Sequence, residues 1–213
     1  MSENLSVRDL AEFVCRSGDL YSRSDGRRID ALDGIRAQEV LRERRKNKHS
    51  QYSSEVAFKH DFNLGNQETT LSGRADGLIL IDNGCVIEEY KACGKFPVQP
   101  NPVDVGQLMI YGAMLAMRSE LSIGALNLVY VEADSFEEKC FSYELTNSEL
   151  EQILAFMLLC FDVRRKRHWH RTAQRHSWFV HKQFPYPDFR FGQRALAGRV
   201  YKASEAGERL LIE

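Results

Sequence analysis

Gly73-Arg74-Ala75-Asp76-Gly77-Leu78-Ile79-Leu80-Ile81-Asp82-Asn83-Gly84-Cys85-Val86-Ile87-Glu88-Glu89-Tyr90-Lys91-Ala92 reads as two strands folded back on each other. Apolar runs flank Asn83-Gly84, the strongest two-residue hairpin signal. With those two as the turn, Asp82 pairs with Cys85, Leu78 opposes Glu89 and Asp76 opposes Lys91. Opposed residues share a face, and so do residues two apart. Asp76, Glu89 and Lys91 therefore emerge together, while Glu88 and Tyr90 point the other way. In this register Asp76 and Glu89 are diagonal neighbours, with backbones roughly 7–8 Å apart.

Working outward, Ser6 and Asp9 form an N-cap pair for a helix over 6–17, with Gly18 as a stop. Residues 19–32 read as loop. A second helix is predicted from about Asp33 to Lys46. Its basic end, Arg42, Arg44, Arg45, Lys46 and Lys48, reads equally as a solvated terminus or as a phosphate contact. Strands follow at 52–64, 68–82 and 85–92. A loop with Pro97, Pro100 and Pro102 leads to a helix at about 103–118. Strands at 123–132 and 136–144 precede a long helix from Thr146 or Asn147 to about Lys166. The order predicts an α/β class, a mixed central β-sheet flanked by α-helices.

The chain has 213 residues and is 43% apolar, enough to bury a core without disulfides. No apolar run reaches the roughly 18 residues of a membrane span, so no membrane partner is expected. MSENLSVRDLAEF is not a secretory leader. Five widely spaced cysteines, Cys15, Cys85, Cys93, Cys140 and Cys160, contain no C-x-x-C and read as reduced thiols of a cytoplasmic protein. The net charge of −1 hides a division: residues 164–202 carry a net +10 and residues 1–163 a net −9.

Two convergent carboxylates suit a small hard cation. Mg²⁺ takes oxygen ligands and retains waters, so one or two carboxylates suffice. Asp76 and Glu89 supply them, and the Tyr90 carbonyl is a further oxygen. Lys91 is a compact charge suited to an attacking water or a crowded phosphate. Glu55, one strand earlier, is placed to orient a ligand or hold a second ion. Gln107 and Tyr111 stand at i and i+4, on one helical face. By itself, the hairpin reads also as a ladder of cross-strand ion pairs.

In combination these stretches resemble the PD-(D/E)XK nuclease superfamily, in its RecB-like exonuclease branch. Gly73-Arg74-Ala75-Asp76 resembles the G-x-x-D motif, Glu89-Tyr90-Lys91 the E-x-K motif, and Gln107 through Tyr111 the Q-x-x-x-Y motif. The resemblance covers roughly residues 6–165. It implies a restriction-endonuclease-like fold and a nuclease domain over 1–165. It further implies Asp76, Glu89 and the Tyr90 carbonyl as ligands of Mg²⁺ or Mn²⁺, with Lys91, Glu55, Gln107 and Tyr111 as catalytic-site residues. The implied substrate is DNA, single-stranded or with free ends. Where relatives carry a metal-binding His on the second helix, this chain has Gln38, followed by Glu39. Gln is the poorer ligand. Glu39 substitutes, affinity falls, or one ion suffices.

Residues 166–213 form a basic linker and a C-terminal segment. Arg164, Arg165, Arg167 and Trp169, with Arg74 in the first motif, are the candidate nucleic-acid contacts: cations track phosphates and aromatics stack on bases. The same run reads also as a solvated helix end. Phe184-Pro185-Tyr186-Pro187-Asp188-Phe189-Arg190-Phe191-Gly192-Gln193-Arg194 resembles the entry to a DinG/XPD-like helicase motor, where an aromatic-Arg-x-x-Gln segment precedes the first strand, with Arg209–Glu213 as the start of that strand. No Gly-rich phosphate loop occurs, so no ATP hydrolysis is expected. The resemblance implies the nuclease part of a nuclease–helicase, with a motor in cis or trans. The rival expectations are a non-catalytic DNA-binding module that loads or steers a helicase, and an inert scaffold.

Overall fold

Local hydrogen bonds set the element boundaries. The computed structural model describes residues 3–17, 30–65, 67–82, 84–118, 121–180 and 187–211. Ser6 Oγ accepts from Asp9 N at 2.9 Å and starts α1 (Val7–Cys15). A short strand, β1 (Glu3–Ser6), precedes it. Next come α2 (Ala31–Lys48), β2 (Tyr52–Leu64), β3 (Gln67–Ile81) and β4 (Gly84–Cys93). In α3 (Pro102–Arg118) a proline takes the first helical position, where no N–H is needed, and Asn101 Oδ1 accepts from Val103 N at 2.9 Å. Strands β5 (Ser122–Glu132) and β6 (Glu138–Tyr143) follow. Helix α4 (Asn147–Val180) opens with a capping box: Glu149 N donates to Thr146 Oγ1 at 3.2 Å, and Thr146 N to Glu149 Oε2 at 2.8 Å. The last element is α5 (Gln193–Ala206).

The expected α/β, restriction-endonuclease-like architecture is present: a mixed six-stranded sheet in the order β1-β3-β4-β5-β6, with β2 also paired to β3. β1 and β5 run parallel to β3 and β4 respectively, and the other pairings are antiparallel. Along β4, Cys85 and Ile87 pack into a core with α1, α3 and the first turns of α4. Tyr90 packs on the opposite face with Ala37 and Leu41 of α2. All five cysteines are free. Among the described residues no helix is long and apolar enough to cross a membrane.

Four expectations change. The hairpin pairs Ile81 with Gly84 and Leu78 with Ile87, a shift of two residues from the Asn83-Gly84 turn. Asn83 itself lies outside the described residues. Gly84 is already a strand residue, and a Cβ there would overlap the Ser122 carbonyl oxygen of β5. Its missing side chain serves strand approach, not turn geometry. Second, within the basic end of α2, Arg44 and Arg45 are neither simply solvated nor free for phosphate. Arg44 and Arg45 each bond Glu138, at 2.8 and 2.7 Å, and Arg45 also bonds Glu88 at 2.8 Å. Third, α4 continues to Val180, because no Gly or Pro interrupts its sequence. Fourth, residues 208–211 form no strand; α5 ends at Gly207, whose φ of 67° supplies a left-handed cap.

The chain divides into two compact units, Met1–Arg167 and His168–Glu213. Arg165, expected as a nucleic-acid contact, is instead a fastener within the first. It bonds Glu3 (2.6 Å), Asp162 (2.9 Å), Gln67 (3.0 Å) and the Leu64 carbonyl (3.0 Å). Both its terminal nitrogens, Nη1 and Nη2, are thus committed to protein oxygens.

Two substitutions test these packing assignments by urea unfolding. Gly84→Ala should lower stability by about 1–3 kcal/mol, because backbone must give way. Arg165→Gln should cost about 1–3 kcal/mol, a figure discounted for the partial exposure of Glu3. An unchanged midpoint in either variant contradicts its assignment.

Candidate functional site

The site lies where β3 parts from its neighbours. β2 follows β3 from Gln67 to Ile79. The other edge of β3 carries β1 at 69–72 and β4 at 77–81. Neither strand pairs with residues 73–76, so polar groups in this gap need other partners. Side chains provide them. Tyr111 Oη accepts from Arg74 N at 3.2 Å, and Asp76 Oδ2 accepts from Tyr90 N at 2.8 Å. Gly73 makes room: a Cβ there would come within 2.9 Å of the Tyr111 hydroxyl and 2.8 Å of Val7. The glycine of the first motif and the tyrosine of the third thus fit each other.

Continuing the observed register sets Asp76 directly opposite Glu89. The two-residue shift leaves faces unchanged, so the predicted grouping survives it. Lys91 Nζ donates to Glu89 Oε1 at 2.9 Å and to Gln107 Oε1 at 2.7 Å, and lies 3.7 Å from Asp104 Oδ1. Glu89 is only 5% exposed, and its Oε2 is buried with no hydrogen-bond partner. Burial pushes the Glu89 carboxyl up to about 7; Lys91 opposes that rise, and the charges of Asp76 and Asp104 add to it. Burial also raises Asp76, against the Tyr90 N–H and the cations Lys91 and Arg42. For Lys91 burial acts downward, but Glu89 and Asp104 outweigh it and the net shift is upward. Lys91 therefore remains an ammonium.

Helix α2 closes the other side. Gln38 Nε2 donates to the Tyr90 carbonyl at 3.1 Å. One turn later, Arg42 Nη2 lies 2.9 Å from Glu55 Oε1 and 3.5 Å from Asp76 Oδ1. Glu55 also pairs with Arg74 at 3.0 Å, and its φ of 54° is a conformation non-glycine residues seldom take.

The structure thus gathers Asp76, Glu89, the Tyr90 carbonyl, Lys91 and Gln107, with Glu55 joined through Arg42. Tyr111 acts through the backbone of β3. Of the arm residues in the first unit, Arg164 and Arg165 are engaged elsewhere. Arg164 stacks on Phe13 at 4.9 Å, Arg165 is committed as described, Arg167 is exposed, and Trp169 is 76% exposed within the second unit. Glu39 is exposed on α2. Sequence reasoning missed Asp104, and named Arg42 only among the cations that end α2. The available signals were helical spacing: Arg42 is i+4 from Gln38, and Asp104 is i−3 from Gln107.

For a divalent cation the available donors are Asp76, Glu89 Oε2 and the Tyr90 carbonyl, an all-oxygen set suited to Mg²⁺ or Mn²⁺. Among the described residues no group of three or more His, Cys, Asp or Glu side chains is placed to hold a metal ion, so this set has two carboxylates and a carbonyl only. The orphaned Glu89 oxygen is the feature that fits a cation: a buried acceptor otherwise incurs an uncompensated desolvation cost.

No family model matches this chain, and no curated protein matches it. Among solved structures, the crystal structure of SSO0001 is similar, with a TM-score of 0.49 and 19% identity over 74% of this chain and 76% of that one.

The raised Glu89 carboxyl predicts a pH dependence. Folding favours its protonated form, so the stabilisation is fully present below about 4.5 and is lost as pH rises through about 7. Asp76, also raised, acts in the same direction. Without divalent cations the urea midpoint should therefore receive a falling contribution across that window, and Glu89→Gln should flatten it. An identical pH profile for the variant contradicts the assignment.

Proposed function

We propose that this chain is a Mg²⁺- or Mn²⁺-dependent deoxyribonuclease of the RecB-like PD-(D/E)XK type, acting on single-stranded DNA or DNA ends. One observation carries the reading: the buried Glu89 oxygen without a partner, set beside Asp76 and Lys91. Asp76, Glu89 and the Tyr90 carbonyl would hold the cation. Bound there, it would supply Lewis acidity toward a phosphate oxygen and lower the pKa of a coordinated water.

The chain's own residues do the rest. Lys91 keeps its proton at Nζ and places a fixed positive charge beside the carboxylates, where a phosphodiester gains negative charge during cleavage. Gln107 and Glu89 fix that ammonium, so little reorganisation is required when charge develops. Tyr111 and Gly73 hold the backbone of β3 in the shape that presents Asp76. We place the activity in the cytoplasm, in DNA repair, as the nuclease part of a nuclease–helicase whose DinG/XPD-like motor acts in cis or in trans. Exposed cations such as Arg74 and Arg167 would meet the strand.

A second reading has a specific observation in its favour. Gln38 and Arg42 already bond the Tyr90 carbonyl and Asp76, as they would in a DNA-binding module that loads a helicase without cutting. Cleavage decides. Asp76→Ala, Glu89→Ala and Lys91→Ala, assayed on single-stranded DNA with Mg²⁺ and with Mn²⁺, should each lose at least about 100-fold in rate. Equal cleavage by all three variants and the parent removes the nuclease reading; metal-independent DNA binding without cleavage establishes the rival.

A further inference from the structure

Arg42 is held differently from its neighbours on α2. Arg44 bonds Glu138 and the Phe136 carbonyl, and Arg45 bonds Glu88 through Nε and Glu138 through Nη2. Those two fasten the helix to the sheet. Arg42 reaches instead into the candidate site, with Nη2 between Glu55 Oε1 and Asp76 Oδ1. Its Nε is buried and has no hydrogen-bond partner. A buried N–H without an acceptor is destabilising, and it marks a place where another state of the site has an acceptor to offer.

The chemistry of that acceptor follows from the donor. A guanidinium presents parallel N–H groups along a planar edge, and that edge matches two oxygens of a carboxylate or phosphate. Among the described residues no carboxylate bonds Nε. Asp76, the more distant of the two acids at 3.5 Å, is also a ligand in the proposed cation site. An oxygen shared with a divalent cation attracts a guanidinium less strongly. Glu55, at 2.9 Å, remains as an anchor.

We infer that Arg42 binds the phosphate of the DNA substrate: it rests on Asp76 and Glu55 in the free protein, is released from Asp76 when the cation takes that carboxylate, and then receives the strand. The inference deepens the proposed nuclease reading and rests on it. It gives Glu55 a defined part, holding Arg42 beside the reaction centre. It also makes Arg42 a competitor of the cation for Asp76, so removing Arg42 acts in opposite directions on metal and on DNA.

The test uses the full chain and two binding readouts. Mn²⁺ binding is followed by calorimetry. Binding of a labelled single-stranded oligonucleotide is followed by anisotropy with Ca²⁺ in place of Mg²⁺, the strand being checked for integrity on a gel. Arg42→Met should lose about 10-fold in Ca²⁺-supported DNA affinity, the scale of one charge-assisted hydrogen bond. Its Mn²⁺ affinity should be tighter than the parent's. Arg42→Lys, which keeps the charge but not the fork, should fall between and serves alone if the Met variant does not fold. Asp76→Ala should lose Mn²⁺ binding. Parental DNA affinity in the Arg42 variants, with Mn²⁺ binding lost in Asp76→Ala, overturns this inference and leaves the nuclease reading standing. Loss of Mn²⁺ binding in the Arg42 variants also overturns it, since Arg42 would then be structural. Undiminished Mn²⁺ binding by Asp76→Ala overturns the underlying reading itself.

Discussion

The hydrogen bond from Tyr90 N to Asp76 Oδ2, 2.8 Å long, spans the point where β3 and β4 stop pairing. An ordinary ladder would place a carbonyl there. A side-chain carboxylate takes its place, and a charged group is thereby fixed inside the sheet rather than on its surface. Asp76 remains close enough to Glu89 for its charge to raise the Glu89 carboxyl. Two buried acids side by side are electrostatically unfavourable unless cations attend them. Lys91 attends from β4 and Arg42 from α2.

The alternation of β4 divides two tasks between its faces. Glu89 and Lys91 face the α3 residues Gln107 and Asp104. Glu88 and Tyr90 face α2, where the Tyr90 hydroxyl donates to Glu88 and Arg45 completes the pair. That second network is structural. It holds a helix that buries only Ala37 and Leu41, and so has little apolar surface of its own to hold it in place. By fastening α2 it positions Gln38 over the Tyr90 carbonyl and Arg42 over Asp76. Positioning on one face thus depends on packing on the other.

Much of this was legible in the residues because period-two alternation is robust. The predicted register was two residues out, yet an even shift keeps every side chain on its face, so Asp76, Glu89 and Lys91 were grouped correctly. The register itself was not legible, because the glycine of Asn83-Gly84 answers to Ser122 on β5, a contact remote in sequence. β1 escaped notice since four residues with only Leu5 buried carry too little pattern. Arg165 looked like part of a basic arm; only the fold shows Glu3, Leu64 and Gln67 converging on it. Arg42 was hidden in the same way among the cations that end α2. Charge composition shows that such residues are present, but not which acids, near or far in the chain, they meet.

The central claim is that Asp76, Glu89 and the Tyr90 carbonyl together receive a divalent cation. The most direct measurement is anomalous scattering from a crystal of the protein soaked in Mn²⁺. The account predicts an anomalous peak between the Asp76 and Glu89 carboxylates, within coordinating reach of the Tyr90 carbonyl and with Arg42 moved from Asp76. A well-diffracting soaked crystal with no peak there, and with Arg42 still on Asp76, would contradict it.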